Sequence, residues 1–207
     1  MSGGSWTHIL ARAAVRPLLG TGVTPTHLTT LRLLTGLAAC VAFAIGGGAG
    51  MGWGGVLWLV SAFLDRADGE LARIGNMRSR GGHLYDYYSD NLITAVFFVA
   101  IGIGLRNSWL GDWSMPLGVL AGGSLAGLNW ASEQVEKLGP PGTVVLAGGG
   151  GFDPDDAFYL MAPFAWLGWL SGILLAAAVV TPVVATIVGL RLLRMRRLAA
   201  DAGIRDA

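Results

Sequence analysis

Reactive side chains concentrate in residues 65–90, DRADGELARIGNMRSRGGHLYDYYSD, where Asp65, Asp68, Asp86 and Asp90 lie between two long apolar runs. Asp65 and Asp68 are three apart, with Gly69, Ala72 and Arg73 following, and Gly82, Asp86 and Asp90 are spaced by four. On two helices each set falls along one face, so two acidic faces would meet. Ionised carboxylates beside apolar helices are costly and demand a counter-charge. Carboxylate oxygens are hard ligands, and the stretch holds no thiolate and only His83 as an imidazole, which favours Mg²⁺ or Mn²⁺ over zinc. Four carboxylates from two helices suffice for two divalent ions, and paired metals neutralise a diphosphate while stabilising attacking and leaving oxygens. The expected chemistry is therefore phosphoryl transfer. Gly69 and Gly82 remove side chains beside the acids, leaving room for a nucleotide to approach the backbone.

In order, Asp65, Asp68–Gly69, Ala72–Arg73, Gly82, Asp86 and Asp90 reproduce the pattern D-x2-D-G-x2-A-R-x8-G-x3-D-x3-D without a departure. On this pattern the chain resembles the CDP-alcohol phosphotransferase family. The resemblance implies an enzyme of phospholipid biosynthesis that binds a CDP moiety and two divalent metals and displaces CMP from a CDP-alcohol by a second alcohol's hydroxyl. It implies Asp65, Asp68 and Asp86 as metal ligands and Asp90 as a shared metal ligand and general base. Gly69, Ala72, Arg73 and Gly82 would shape the nucleotide site. Thr24-Pro25-Thr26-His27-Leu28-Thr29, with Arg32, resembles the family's T-P-N-x-L-T-x-x-R opening, Thr26 standing where the family has Asn. Thr24, Pro25 and Arg32 thereby join the expected substrate site.

The positioning elements follow from composition. The 207 residues are 53% hydrophobic and only 13% charged, about half the charge of soluble domains, and mean hydropathy is clearly positive. This predicts a single all-α membrane domain over 1–207. About six spans fit, at roughly 20 residues each, over 25–45, 51–74, 82–105, 113–136, 154–168 and 172–194. The glycines at 46–50 read as a tight turn, 139–151 as a glycine- and proline-rich loop, and Pro182 as a site for a kink. Residues 5–20 read as a short amphipathic helix lying in the interface, with Trp6, Ile9, Leu10 and Ala13 near one face and Arg12 and Arg16 on another. Thr24 and Pro25 suit the cap and first turn of the first span. Arg32, inside that span, calls for an acid or a phosphate.

Tyr85, Tyr87 and Tyr88 read as an interfacial tyrosine belt. Asp153, Asp155 and Asp156 read as an acidic helix start. Cys40 reads as a small packing residue. Six spans put both termini on one side, where nearly all lysines and arginines fall, Arg205 among them and Arg106 alone opposite. The positive-inside rule then places the termini and the aspartates on the cytoplasmic side of the inner membrane.

Among relatives that take a phosphorylated acceptor, basic residues on later spans hold its phosphate, and Lys137, Arg191 and Arg194 are the candidates here. The lipid could ride on the donor, as CDP-diacylglycerol, or on the acceptor, as diacylglycerol with a water-soluble CDP-alcohol. No nucleic-acid partner is expected, and the resemblance implies a homodimer. A transporter using the same carboxylates is the reading from a different class; it would need access from both sides, and no inverted repeat is obvious.

Overall fold

A computed structural model describes residues 6–140, 142–145 and 154–201. Among them the chain is all-α: α1 (Trp6–Val15), α2 (Pro25–Ile45), α3 (Gly47–Ile74), α4 (Arg80–Gly104), α5 (Ser114–Leu138), α6 (Met161–Trp166) and α7 (Leu170–Asp201). Three short 3₁₀ helices intervene at Arg16–Leu18, Gly111–Trp113 and Pro154–Leu160. Four of the helices, α2, α3, α4 and α7, are long and apolar enough to cross a membrane. The chain is therefore a multi-pass membrane protein by the composition of its helices; a count of six spans is not reached on that criterion.

Sequence chemistry explains the boundaries that matter. Pro25 opens α2 behind Thr24, whose backbone N–H donates to His27 Nδ1 at 3.2 Å. Gly46 makes the whole turn into α3 with φ 75, a left-handed value that glycine adopts at little cost, and Gly47–Gly50 belong to the helix rather than to the expected turn. Asn76, at φ 51, lets the chain reverse after α3 within a few residues. Ser79 then caps α4, its Oγ accepting from Gly82 N–H at 3.0 Å. α7 runs unbroken through Pro182.

α2 is wedged between α3 and α4 and packs extensively against both. Gly36 permits this: a Cβ there would meet Ser61 Oγ at 2.9 Å on one side and Ile93 at 3.0 Å on the other. α3 and α4 themselves meet through Trp58 and Phe97, stacked with ring centroids 3.9 Å apart at the heart of the core. Below that stack the two helices stand apart, and the acidic stretches face one another across a gap.

One expectation needs correction. Residues 154–168 form no continuous α-helical span; a seven-residue 3₁₀ helix leads into the six-residue α6, and both are tied to α3 by hydrogen bonds from aromatic side chains. Trp58 Nε1 donates to Phe158 O at 2.8 Å, Tyr159 Oη to Ala62 O at 2.8 Å and Trp166 Nε1 to Gly52 O at 3.2 Å. α1 buries Thr7, Ala11 and Val15 against α3 and leaves Ile9 and Leu10 facing outward. Ser5, Asp153, Arg205 and most of the 139–151 loop lie outside the described residues, as does the side chain of Asp155.

Candidate active site

Asp65 and Asp68 project from the last turns of α3, and Asp86 and Asp90 from the second and third turns of α4. Carboxylate oxygens of Asp65, Asp68 and Asp86 converge within 4.8 Å of one another. Asp90 is joined to them through Arg32 of α2. Arg32 is 4% exposed, and its guanidinium contacts Asp65 Oδ1 at 2.8 Å and Asp86 Oδ1 at 2.9 Å through Nη1, and Asp90 Oδ1 at 2.6 Å through Nη2. One arginine cannot neutralise four carboxylates, so the group retains capacity for further cations. The donors are all hard oxygens, three of them converging, which fits Mg²⁺ or Mn²⁺.

Thr29, a turn before Arg32, donates from Oγ1 to Asp68 Oδ2 at 2.7 Å. Its role was not visible in the sequence, although it stands inside the Thr24–Thr29 motif. Glu70 was missed for a similar reason: a lone acid on a charged turn reads as solvated. It is 1% exposed and gathers Arg73 Nη2 at 2.7 Å, Arg12 Nε at 2.9 Å and His8 Nδ1 at 3.0 Å. Asp156 stands in the first turn of the 3₁₀ helix Pro154–Leu160 and is buried there. Thr7 Oγ1 donates to it at 2.9 Å and Arg66 Nη2 reaches it at 3.3 Å. α1 is thereby fastened to the helix that carries Asp65 and Asp68.

Three cavities open around the acids. The first, about 420 Å³, is floored by Arg32, Asp65, Asp68, Asp86 and Asp90, with Arg66, Arg73 and Tyr159 on its walls. The second, about 400 Å³, is lined by Pro25, Thr26, Gly69, Ala72, Arg73, Arg78 and Gly82, and shares Asp68 and Asp86 with the first. Thr24 lies on neither and acts as the cap of α2. A Cβ at Gly69 would meet only the flexible end of Arg73, at 3.7 Å, so this glycine keeps open the wall common to both spaces. The third, about 660 Å³, lies beyond Asp90 between α4 and α5, and Lys137 reaches it. Arg191 and Arg194 are exposed on α7 and line none of the three. Tyr87 lines the first and third, so it is not confined to a belt, whereas Tyr88 is 66% exposed.

Residues 22–188 match the family model described as CDP-alcohol phosphatidyltransferase. The chain belongs to the CDP-alcohol phosphatidyltransferase family. It is a transferase of phospholipid biosynthesis, and the transporter reading falls away. The fold is similar to that in the crystal structure of Mycobacterium tuberculosis phosphatidylinositol phosphate synthase (PgsA1) with CDP-DAG bound, at TM-score 0.64 and 16% identity, covering 92% of each chain. No curated protein sequence matches the transferase.

Proposed function

We propose that the transferase passes the phosphatidyl group of CDP-diacylglycerol to the hydroxyl of a second alcohol and releases CMP. The convergence of Asp65, Asp68 and Asp86 against Arg32, at the meeting of two cavities, carries this reading. Asp65, Asp68, Asp86 and Asp90 would hold two divalent ions, Mg²⁺ or Mn²⁺. When bound, such ions neutralise the diphosphate and align the attacking and leaving oxygens. Gly69, Ala72 and Gly82 shape the nucleotide space, and Arg73, held by Glu70, faces the diphosphate from the wall common to both cavities. The acceptor oxygen bonds to the phosphorus bearing the diacylglycerol. The bond from that phosphorus to the bridging oxygen breaks, CMP leaves with the electron pair, and the acceptor proton passes to Asp90.

The same reading extends to topology. The single domain crosses the inner membrane six times, with α5 as the fourth crossing and residues 154–166 as the fifth. α5 has 25 residues, about 37 Å at 1.5 Å per residue, against a hydrocarbon core of roughly 30 Å. The fifth segment runs along α3 from Arg66, beside Asp156, to Gly52, beside Trp166. Those 14 steps of α3 amount to about 21 Å. The site faces the cytoplasm, α1 rests its exposed Ile9 and Leu10 in the interface, and the protein works as a homodimer.

Asp90→Asn tests the base. CMP release from CDP-diacylglycerol with Mn²⁺ should fall by at least about 100-fold, the usual scale for a lost general base. The thermal stabilisation given by CDP should persist. Turnover within a few fold of the parent would remove Asp90 from that role.

A further inference from the structure

The region that matches the family begins at residue 22, so α1 stands before it. α1 nevertheless reaches the first cavity, where His8 lines the wall together with Arg66 and Arg73. Ala11 and Val15 give the helix an ordinary apolar face against α3. Thr7, His8 and Arg12 make contacts that an anchoring helix does not need. They bond to two buried carboxylates, each of which also holds an arginine of the cavity wall. Thr7 Oγ1 and Arg66 Nη2 share Asp156 Oδ1, and His8 Nδ1, Arg12 Nε and Arg73 Nη2 share Glu70.

The charges around Glu70 are unequal. It is 1% exposed and meets two guanidiniums, Arg12 through Oε2 at 2.9 Å and Arg73 through Oε1 at 2.7 Å. A buried carboxylate beside one arginine would form a neutral pair, and a diphosphate approaching that pair would be attracted only weakly. With Arg12 on the second oxygen the group carries a net positive charge. It is presented by Arg73, which lines both the first and the second cavity. The carboxylate also fixes the direction of the Arg73 fork, leaving its other N–H groups for a ligand. His8 Nδ1, 3.0 Å from Glu70 Oε1 and 3.2 Å from Arg73 Nη2, closes the group from the side of α1.

Resting on the function proposed above, we propose that α1 belongs to the machinery that binds the donor's diphosphate: Arg12 offsets the charge of Glu70, so that Arg73, held in place by Glu70, keeps its own charge for the ligand. Glu70 and Arg12 are positioning residues that act through Arg73. Arg32 cannot substitute, because its guanidinium is engaged by Asp65, Asp86 and Asp90. When α1 is displaced or Arg12 is neutralised, the full charge of Glu70 falls on Arg73, and the diphosphate loses that attraction while the aspartates and the glycines of the nucleotide space stay as they are.

The test titrates the purified full chain with CDP in the presence of Mn²⁺ and reads the apparent affinity from the rise in melting temperature. The Arg12 side chain is 52% exposed, so Arg12→Gln removes charge without opening the core. It should weaken CDP by about three- to tenfold, and Arg12→Lys should recover most of the loss. Arg16→Gln, which removes an exposed charge just beyond α1, should leave CDP affinity unchanged and controls for attraction of the helix to the detergent or lipid surface. In a Glu70→Gln background, where there is no charge for Arg12 to offset, Arg12→Gln should change CDP affinity by less than about twofold. If Glu70→Gln does not fold, the contrast between Arg12→Gln and Arg12→Lys decides alone. Unchanged CDP affinity in Arg12→Gln, an equal loss in Arg16→Gln, no recovery in Arg12→Lys, or additive losses in the double variant overturns the proposal while the proposed function stands. No stabilisation of the parent chain by CDP and Mn²⁺ overturns the proposed function, and this proposal with it.

Discussion

Asp68 is 4% exposed, and Thr29 is the neutral donor that keeps one of its oxygens oriented. A threonine hydroxyl within a helix ordinarily donates to the carbonyl four residues back, and Pro25 O is available at 3.1 Å, but the contact to Asp68 is shorter at 2.7 Å. Hydrogen bonds to charged groups contribute about 1.5–3 kcal/mol, and partners that orient a metal ligand typically change metal affinity by about 10–100-fold. Thr29→Val, isosteric but without the donor, should weaken the apparent Mn²⁺ affinity by about tenfold in a metal titration of CMP release, and Thr29→Ser should recover most of it. An unchanged Mn²⁺ midpoint in Thr29→Val would show that the proposed Asp68 ligand does not depend on this bond. At this scale the sequence was unevenly legible. Charge inside an apolar run is conspicuous, so the aspartates and the need for a partner at Arg32 could be read directly. Thr29 and Glu70 owe their roles to atoms 39 and 62 positions away, at Asp68 and His8. Nothing local distinguishes them from a helix threonine and a solvated glutamate.

At the scale of the elements, the walls of the third cavity depend on how closely α5 approaches α4. Gly102, Gly118 and Gly122 form the seam. A Cβ at Gly102 would meet Ser114 O at 2.6 Å, one at Gly118 would meet Phe98 O at 2.5 Å, and one at Gly122 would collide with Ala95 O. Each obstacle is backbone, which cannot swing away, so the helices must separate to admit even a methyl group. Gly118→Val should therefore cost about 1–3 kcal/mol, read as a lowered melting temperature in detergent. Gly123, one position beyond the seam, has nothing within 4 Å of its would-be Cβ. Gly123→Ala should leave the melting temperature unchanged or raise it, since alanine is favoured over glycine in a helix by roughly 0.5–1 kcal/mol. Equal losses for the two would mean that the seam has no special part in stability. Helix existence was legible from apolar run length, and most boundaries fell close to expectation. The 154–168 segment was not, because its path is set by Trp58, Tyr159 and Trp166 bonding to backbone across the α3 groove rather than by any local periodicity.

For the whole molecule, cations and acids collect at one end of the bundle. α2 begins there and α3 ends there, α4 begins beside them, and α5 returns with Glu133 and Lys137. α1 is docked on the lower half of α3 through Glu70, and α7 brings Val188 and Leu192 against Leu128 and Val135 of α5. Its arginines 191, 194, 196 and 197 follow at the same end, Arg196 resting over the Trp130 ring at 5.7 Å. At the far end Arg106 is the only lysine or arginine among the described residues, and Gly46 and Gly104 close the turns in direct contact. The proposed cytoplasmic orientation of the site rests on this polarity, through the positive-inside rule. The asymmetry was readable from the sequence because it needs only a count of Lys and Arg between apolar runs. Cys40 is 3% exposed in the core, so the parent should stay dark to a membrane-impermeant maleimide. Asn107→Cys, on the loop between α4 and α5, should be labelled on intact cells. Met77→Cys, between α3 and α4, should react only after the membrane is permeabilised. The reverse pattern would turn the site outward, away from cytoplasmic nucleotide, and labelling of both from one side would mean that α4 does not cross the bilayer at all.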